Sequence, residues 1–244
     1  HGQPLAAALL TDWGDGVALD PIVMPQASAD WIEHVVARGL EHAAGCGVTV
    51  SDIEVDAEDR QLVRLLGRYG FAFDGEAAEH GPRTHIVEAW MSSEQRPVVR
   101  PLPEHFELRC RSGMQASPHH MLRRSGQAVE ARLRQTSLYD PARDLLIVDR
   151  LQRVAAYALF WFDPRTATGL VEPMRTEDDY QRRGLGQHLL TVGVARLFDA
   201  GARRVKVCFE PDNAAAQALY LGAGFQPVQR TVLMKRGTGA DAAR

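Results

Sequence analysis

The sequence predicts an α/β (α+β) protein made of two tandem units, each a mixed central sheet with helices on both faces, the N-terminal unit a degenerate copy of the C-terminal one. Three observations carry this. Strand-like and helix-like segments alternate along most of the chain. Three prolines in seven positions (97, 101 and 103) punctuate it in the middle. Residue anchors recur about 150 positions apart. The domain reading is therefore 1–95 for a degenerate copy, 96–104 for a linker and 105–244 for the complete one.

In the second unit a strand is predicted over 106–109, then a polar, arginine-rich stretch to Arg143. Apolar, β-rich runs follow at 145–148 and 154–162, with Asp163-Pro164-Arg165-Thr166 as the turn. A further strand, 169–176, leads into Gln181-Arg182-Arg183-Gly184-Leu185-Gly186. Leu185, Leu189 and Val192, with Leu190, Val194 and Leu197, then form the wide apolar face of a helix lying on a sheet, ended by Gly201. A strand over 204–209 precedes a short helix, capped by Asp212 or Asn213, that runs to Leu221. Residues 228–235 close with a strand, and 237–244 are small and polar.

The first unit repeats this order. Asp12 answers Asp163, Asp20-Pro21 answers Glu172-Pro173, and Tyr69-Gly70-Phe71 answers Ala223-Gly224-Phe225. The spacings are 151, 152 and 154 residues, which predicts a duplication. Helix-like 29–44, strand-like 48–55 and helix-like 57–68 lie between these anchors. This copy opens at its third strand, 4–10, and the chain begins His1-Gly2 without an initiator methionine. The expectation is that upstream residues are missing or that this half is incomplete.

With 244 residues, 45% hydrophobic, 24% charged and a net charge of −3, the chain has the composition of an ordinary globular protein. Of 28 basic residues only Lys206 and Lys235 are lysine, and they are dispersed among 31 acidic ones, so no nucleic-acid footprint is expected. No run approaches the length of a membrane span. Cys46, Cys110 and Cys208 are scattered without metal spacing and read as buried thiols in a reducing, cytoplasmic setting. Among nine histidines only His119-His120 are adjacent; no carboxylate cluster accompanies them in sequence, and no metal is expected.

The chemistry-bearing feature is strand, Gln-x-x-Gly-x-Gly, long helix. Glycines at 184 and 186 let backbone N–H groups approach an anion at the helix N-terminus. A tight packing turn is the competing reading. The P-loop Gly-Lys-Ser/Thr is absent, and Leu189 stands where a dinucleotide fingerprint needs a third glycine. At the matching place the first unit reads Ser28-Ala29-Asp30-Trp31-Ile32-Glu33, with no glycine and two carboxylates that would repel a pyrophosphate. There Asp59 and Leu66 replace Asn213 and Tyr220.

The strand 169–176, the loop 181–186, Asn213-x-x-Ala216-x-x-Leu219-Tyr220 and the following Gly224-Phe225 together resemble the GNAT superfamily of acyl-CoA-dependent N-acyltransferases, over about 106–236. Leu170-Val171-Glu172-Pro173 and Tyr139-Asp140-Pro141 resemble tandem-repeat members of the mycothiol synthase type. Two positions depart from the pattern: Asp178, where many members have proline, and Arg182, where many have glycine.

The resemblance implies acetyl-CoA as cosubstrate. It implies pantetheine contacts from the backbone of Met174 and Thr176, with the Met174 N–H facing the thioester carbonyl. Pyrophosphate would be held by Gln181, Arg182, Arg183, Gly184, Leu185 and Gly186, and the pantetheine arm approached by Asn213 and Ala216. Tyr220 would protonate the departing thiolate, against the alternative of a core tyrosine. Glu172 beside the site is a candidate general base, with a structural carboxylate or an anchor for the substrate ammonium as the other readings. The expected function is transfer of an acetyl group to a primary amine of a small molecule by direct attack, since no cysteine lies at the motif. Three alternatives stand beside it: a mycothiol-synthase-like enzyme acting on a cysteinyl pseudodisaccharide, a protein N-acetyltransferase, and a non-catalytic acyl-CoA sensor. The stretch 111–143 is expected to supply acceptor-side helices, its arginines mostly a solvated face.

Overall fold

The computed structural model describes residues 5–14, 16–24, 26–28, 30–73, 84–114 and 117–236. These form two compact units, one of residues 1–87 with 229–244 and one of residues 88–228. The expected 96–104 linker thus belongs to the second unit, and the last strand lies mostly with the first. The chain start at His1 and Gly2, Pro4, Ala29 and the tail 237–244 lie outside the described residues.

The first unit runs β1 (Ala6–Asp12), β2 (Val17–Val23), α1 (Asp30–Gly45), β3 (Val50–Asp56), α2 (Arg60–Arg68) and β4 (Phe71–Phe73). β1 and β2 form an antiparallel hairpin from Ala6↔Val23 to Asp12↔Val17. β2 then runs parallel to β3 only at Val17↔Val50 and Ala18↔Asp52, with a register slip between the two pairs. On β3 the apolar Val50, Ile53 and Val55 go inward while Asp52, Glu54 and Asp56 stay partly exposed. That inner row packs with Leu19, Val36, Leu65 and Leu66 into the core of the unit. The late part of β11 (Gln226–Arg236) completes the sheet, antiparallel to β3 from Thr231↔Asp56 to Lys235↔Asp52.

The second unit contains β6 (Phe106–Cys110), α3 (Leu122–Ser125), α4 (Val129–Gln135), β7 (Asp144–Asp149), β8 (Val154–Asp163), β9 (Thr168–Thr176), α5 (Leu185–Asp199), β10 (Arg204–Phe209) and α6 (Ala214–Ala223). Strands β6 to β9 form an antiparallel meander, and β10 joins β9 in parallel. β7 is buried through its first five residues because it is covered on both sides. On one side Met121 and Val129 pack against Leu146, Val148, Tyr157 and Leu159. On the other lies α5, whose Gly193 sits so close to the Phe160 ring that a Cβ there would collide with it.

The proline-rich segment is strapped to α5. The Arg100 N–H donates to Thr191 Oγ1 at 3.1 Å, and the buried His188 ring donates from Nδ1 to the Arg100 carbonyl at 2.5 Å. Proline removes the competing backbone donors, so side chains of the helix supply the tie.

The first unit runs β-β-α-β-α-β and the second contains β8-β9-α5-β10-α6, after which most of β11 passes into the first. The sequence reading left out β4 and β5 (Thr84–Ser92). In β5, Val87, Ala89 and Met91 are buried while Glu88 and Trp90 are partly exposed, a period-two pattern that the sequence displays.

Candidate active site

The second unit's sheet opens where the motif begins. β9 and β10 pair at Thr168↔Arg204, Gly169↔Val205 and Leu170↔Lys206, and no farther. On the other side, the β8–β9 register breaks between Ala158 and Phe160, opposite Glu172 and Pro173. Strand β9 therefore leaves both neighbours' registers at the bulge and regains only β8, at Met174↔Ala158. Beyond it the chain makes a 3₁₀ turn (Asp178–Tyr180) and enters α5. Asp178 ties this exit together, accepting from Arg175 Nη2 at 2.9 Å and Gln181 Nε2 at 3.2 Å.

The start of α5 is built for an anion. Gly184 caps the helix at φ 77°, where only glycine is unstrained, and Arg182 shares the left-handed region at φ 58°. No side chain caps this end and its first turn holds no acidic residue. Its leading N–H groups and the positive end of the helix dipole face outward together. A Cβ on Gly186 would lie 3.2 Å from Thr176 Oγ1 and 3.6 Å from Leu219 Cδ2. The absent side chain keeps the floor of the cleft clear.

That cleft, of about 490 Å³, runs between the α5 start, the end of β9 and α6. It gathers Met174, Thr176, Gln181, Arg182, Gly184, Leu185, Gly186, Asn213, Ala216 and Tyr220. Two residues of the expected set stand outside its lining. Arg183 turns back, donating from Nη2 to the Asp179 carbonyl at 2.9 Å with its guanidinium 5.5 Å from the Tyr180 ring centre. Glu172 lies on the bulge, exposed. Arg175, Gln187, Ala215, Ala218 and Leu219 line the cleft as well and were not anticipated; Gln187 follows Gly186 in the first helical turn, a proximity readable from the motif.

Asn213 caps α6, its Oδ1 accepting from the Ala216 N–H at 3.0 Å. One face of α6 thereby meets the cleft, and Tyr220 closes the inner end, buried against Phe209 and Phe225 at ring distances of 5.7 and 6.1 Å. Burial, then the Glu172 carboxylate, then Cys208 push its phenol up to about 12. Tyr220 holds its proton throughout the neutral range. Cys208 is half-buried and Cys46 exposed, so the expectation of three buried thiols does not hold.

On the α3 and α4 side of the sheet lies a polar cluster that the sequence did not disclose. The pair His119-His120 does have a carboxylate: Asp144, fully buried at the first position of β7. Its Oδ2 accepts from His119 Nε2 at 2.9 Å and from the Tyr139 hydroxyl at 2.8 Å, and Oδ1 lies 3.1 Å from His120 Nε2. These donors outweigh the upward push of burial and hold the Asp144 carboxyl at about 2. His119 Nδ1 accepts from the Met121 N–H at 3.2 Å, so the neutral ring carries its proton on Nε2, toward the carboxylate. A cation would have to displace that proton and break this contact.

Arg111 is likewise buried, against the expectation of a solvated arginine face. It donates to the Ser117 carbonyl at 2.5 Å and to Glu130 at 3.0 Å. Among the described residues no helix is long and apolar enough to cross a membrane.

Known proteins place this arrangement. The family model described as acetyltransferase (GNAT) family matches residues 104–225. A mycothiol acetyltransferase of Geodermatophilus obscurus is 32% identical over 79% of this chain and 69% of its own length. Another, from Corynebacterium diphtheriae, is 24% identical over 95% of the chain and 78% of its own length. In fold, a tandem GNAT protein from the clavulanic acid biosynthesis pathway superposes with a TM-score of 0.70 at 16% identity, covering 96% of this chain and 79% of that one. The motif, the parted strands and these relatives agree: the chain belongs to the acetyltransferase (GNAT) family and is an acyltransferase.

Proposed function

We propose that the second unit binds acetyl-CoA and transfers its acetyl group directly to a primary amine of a small molecule, while the first unit is a degenerate, structural copy. The observation that carries this is the uncapped α5 start opening into the same cleft as the buried Tyr220 hydroxyl. A diphosphate at the first turn gains from free N–H groups and the dipole. The loop backbone from Gln181 to Gly186 would hold it, Arg182 near the phosphates. Arg183 would act through its main chain, since its side chain is engaged elsewhere.

From that anchor the pantetheine arm runs between β9 and α6, past Thr176, Asn213 and Ala216, with the Met174 N–H toward the thioester oxygen. A free amide is available there because β9 and β10 have parted. A donor at that point stabilises the developing oxyanion. Glu172, on the bulge just before Met174, would take the proton from the attacking ammonium, directly or through water. Tyr220, protonated at neutral pH, would give its proton to the departing CoA thiolate. The bond formed is N–C(acyl), the bond broken is C–S, and the charge carried off by sulfur ends as a thiol.

A second reading names the acceptor. The relatives that align with this chain are called mycothiol acetyltransferases, which favours a cysteinyl pseudodisaccharide as the amine. The test is acetyl transfer from acetyl-CoA, followed by thiol release and product mass, to that compound, to glucosamine and to peptides with free N-termini. Turnover of the pseudodisaccharide well above the others supports the second reading. A peptide as best acceptor replaces the small-molecule reading with a protein N-acetyltransferase. Tight acetyl-CoA binding with no turnover of any amine leaves only a sensor.

A further inference from the structure

Glu172 occupies the stretch of β9 where ladder bonding lapses. The paired positions step from Val171↔Phe160 to Met174↔Ala158 on one side, and the parallel ladder to β10 has ended at Leu170. Pro173 contributes no N–H. A residue placed so has no sheet register to fix its carbonyl, and its carboxylate position follows from that peptide plane. The structure supplies a side-chain substitute: the Trp161 indole Nε1–H donates to the Glu172 carbonyl at 2.5 Å.

Trp161 is itself firmly held. Its backbone sits in register opposite Leu170, one step before the bulge. Its indole lies against the Tyr139 ring, centroids 6.3 Å apart and planes tilted by 55°. The Tyr139 hydroxyl is fixed by its 2.8 Å hydrogen bond to Asp144 Oδ2, and Asp144 by His119 on the same oxygen, with its own side chain wholly out of solvent. A tyrosine near a surface needs no such anchor. A buried carboxylate is costly unless its donors are in place, so the cluster has one arrangement of low energy.

Resting on the reading of Glu172 as general base, we propose that Trp161 is a positioning residue for Glu172, clamped through Tyr139 onto the buried Asp144. The indole fixes the bulge peptide, and the carboxylate is thereby aimed at the incoming amine. Small displacements of a catalytic group are expensive in rate. Neither Trp161 nor Tyr139 touches the reacting atoms in this scheme, and neither is a wall of the acetyl-CoA cleft.

The experiment is a double-mutant cycle on the full chain, with Trp161→Phe, Glu172→Gln and the pair. Acetyl-CoA and the best amine of the panel above are the substrates, and acetyl-CoA dissociation constants and thermal midpoints are measured alongside. Trp161→Phe keeps the aromatic bulk and removes the N–H. It is expected to lower kcat about tenfold with the acetyl-CoA dissociation constant within about twofold of wild type, and to change kcat less than about twofold once Glu172 is glutamine. Fully multiplicative losses would overturn the proposal, because a merely structural tryptophan costs the same whatever stands at 172. Should Trp161→Phe fail to fold, Tyr139→Phe carries the same test, with a loss of about threefold that must vanish in the Glu172→Gln background. Wild-type turnover in Glu172→Gln sinks the base reading, and the proposal with it; normal dependence on Glu172 with multiplicative losses sinks the positioning role alone.

Discussion

The two units present the same junction with opposite chemistry. In each, a hairpin strand runs parallel to the next strand for two or three residue pairs and then parts from it: β2 from β3 in the first, β9 from β10 in the second. In each, the following short helix is capped by a side chain, Asp59 accepting from Leu62 N–H at 2.9 Å and Asn213 from Ala216 N–H at 3.0 Å. Each has a cleft between the start of its longer helix and the length of its short one. In the first unit Asp30 and Glu33 stand in the opening turn of α1 and line the cleft, and Arg68 spans it to Glu33 at 3.0 Å. The second has glycine at the cap and no acid in the turn. Where Tyr220 meets one cleft, Leu66 is sunk in the core of the other unit. Both units have parted strands, and a handful of side chains distinguish the two clefts; on the proposal above, only the second receives a nucleotide.

The harshest way to break this comparison is Gly186→Glu. The new side chain would be driven from a position 3.2 Å from Thr176 Oγ1 into the anion site, adding bulk and like charge. Acetyl-CoA affinity, read by calorimetry, should fall by at least about 10³-fold, roughly 4 kcal/mol. Glu33→Gln in the first unit removes a charge at the matching helix start and should leave that affinity within about twofold. Equal losses would mean that the halves have been assigned their roles wrongly.

A second contrast lies in buried or crowded carboxylates. Asp144 is held at about 2 by its donors, so its contribution to folding is complete above the ordinary value near 4 and is lost as pH falls from there to about 2. Asp20 in the first unit is raised instead, by burial and by Glu54 and Asp52. Its charged form opposes folding, and stability falls as pH rises through that pKa. Asp144→Asn should cost about 3 kcal/mol at pH 7 and flatten the stability profile between pH 4 and 2. Asp20→Asn should stabilise by no more than about 0.5 kcal/mol, since the group is partly solvated and screened. Urea titrations at pH 3, 5 and 7 read both; the same sign for the two variants at pH 7 would refute the contrast.

Tyr220→Phe removes only the hydroxyl. With the acid reading, kcat should drop about 10²-fold while acetyl-CoA binding stays within about twofold, because the ring still packs between Phe209 and Phe225. Since folding holds the phenol near 12, no alkaline loss of kcat below pH 10 should be assignable to it. Unchanged kcat would return Tyr220 to the role that Leu66 plays in the first unit.

What was legible in the sequence was what is local. Glycine spacing fixed the β9–loop–α5 passage, and β10 is found at the anticipated 204–209. Asn213 announces its helix because capping is a contact across three residues, whereas Asp59, placed inside a helix over 57–68, proves to cap one that starts at Arg60. The polar cluster escaped because His119 and Asp144 are 25 residues apart and meet only when α3 folds onto the start of β7. Arg111 read as solvent-facing for the same reason, its carbonyl partners being supplied by the turn of chain at Ser117 and Pro118. Arg183 was counted a phosphate ligand by its place in the motif, yet a nearer carbonyl and the Tyr180 ring take its side chain. β5 was there to be read, but four of its nine residues are polar and no glycine or proline marks its end.

The finest comparison uses the two caps. Asp59→Ala and Asn213→Ala each delete one side-chain acceptor from the first turn of a helix of similar length, 9 and 10 residues. Loss of an N-cap costs about 1 kcal/mol whichever unit carries it, so urea midpoints should shift alike in the two variants. Their kinetics should not. Of the two, Asn213 borders the cleft at the α5 start, and freeing the α6 start there unsettles the wall along which the pantetheine arm is proposed to lie. Asn213→Ala should therefore raise the KM for acetyl-CoA about three- to tenfold with kcat little changed, the pattern of lost uniform binding, whereas Asp59→Ala should leave it unaltered. A rise in both would show the first unit to be coupled to the cofactor cleft, and a rise in neither would reduce Asn213 to the cap it visibly is.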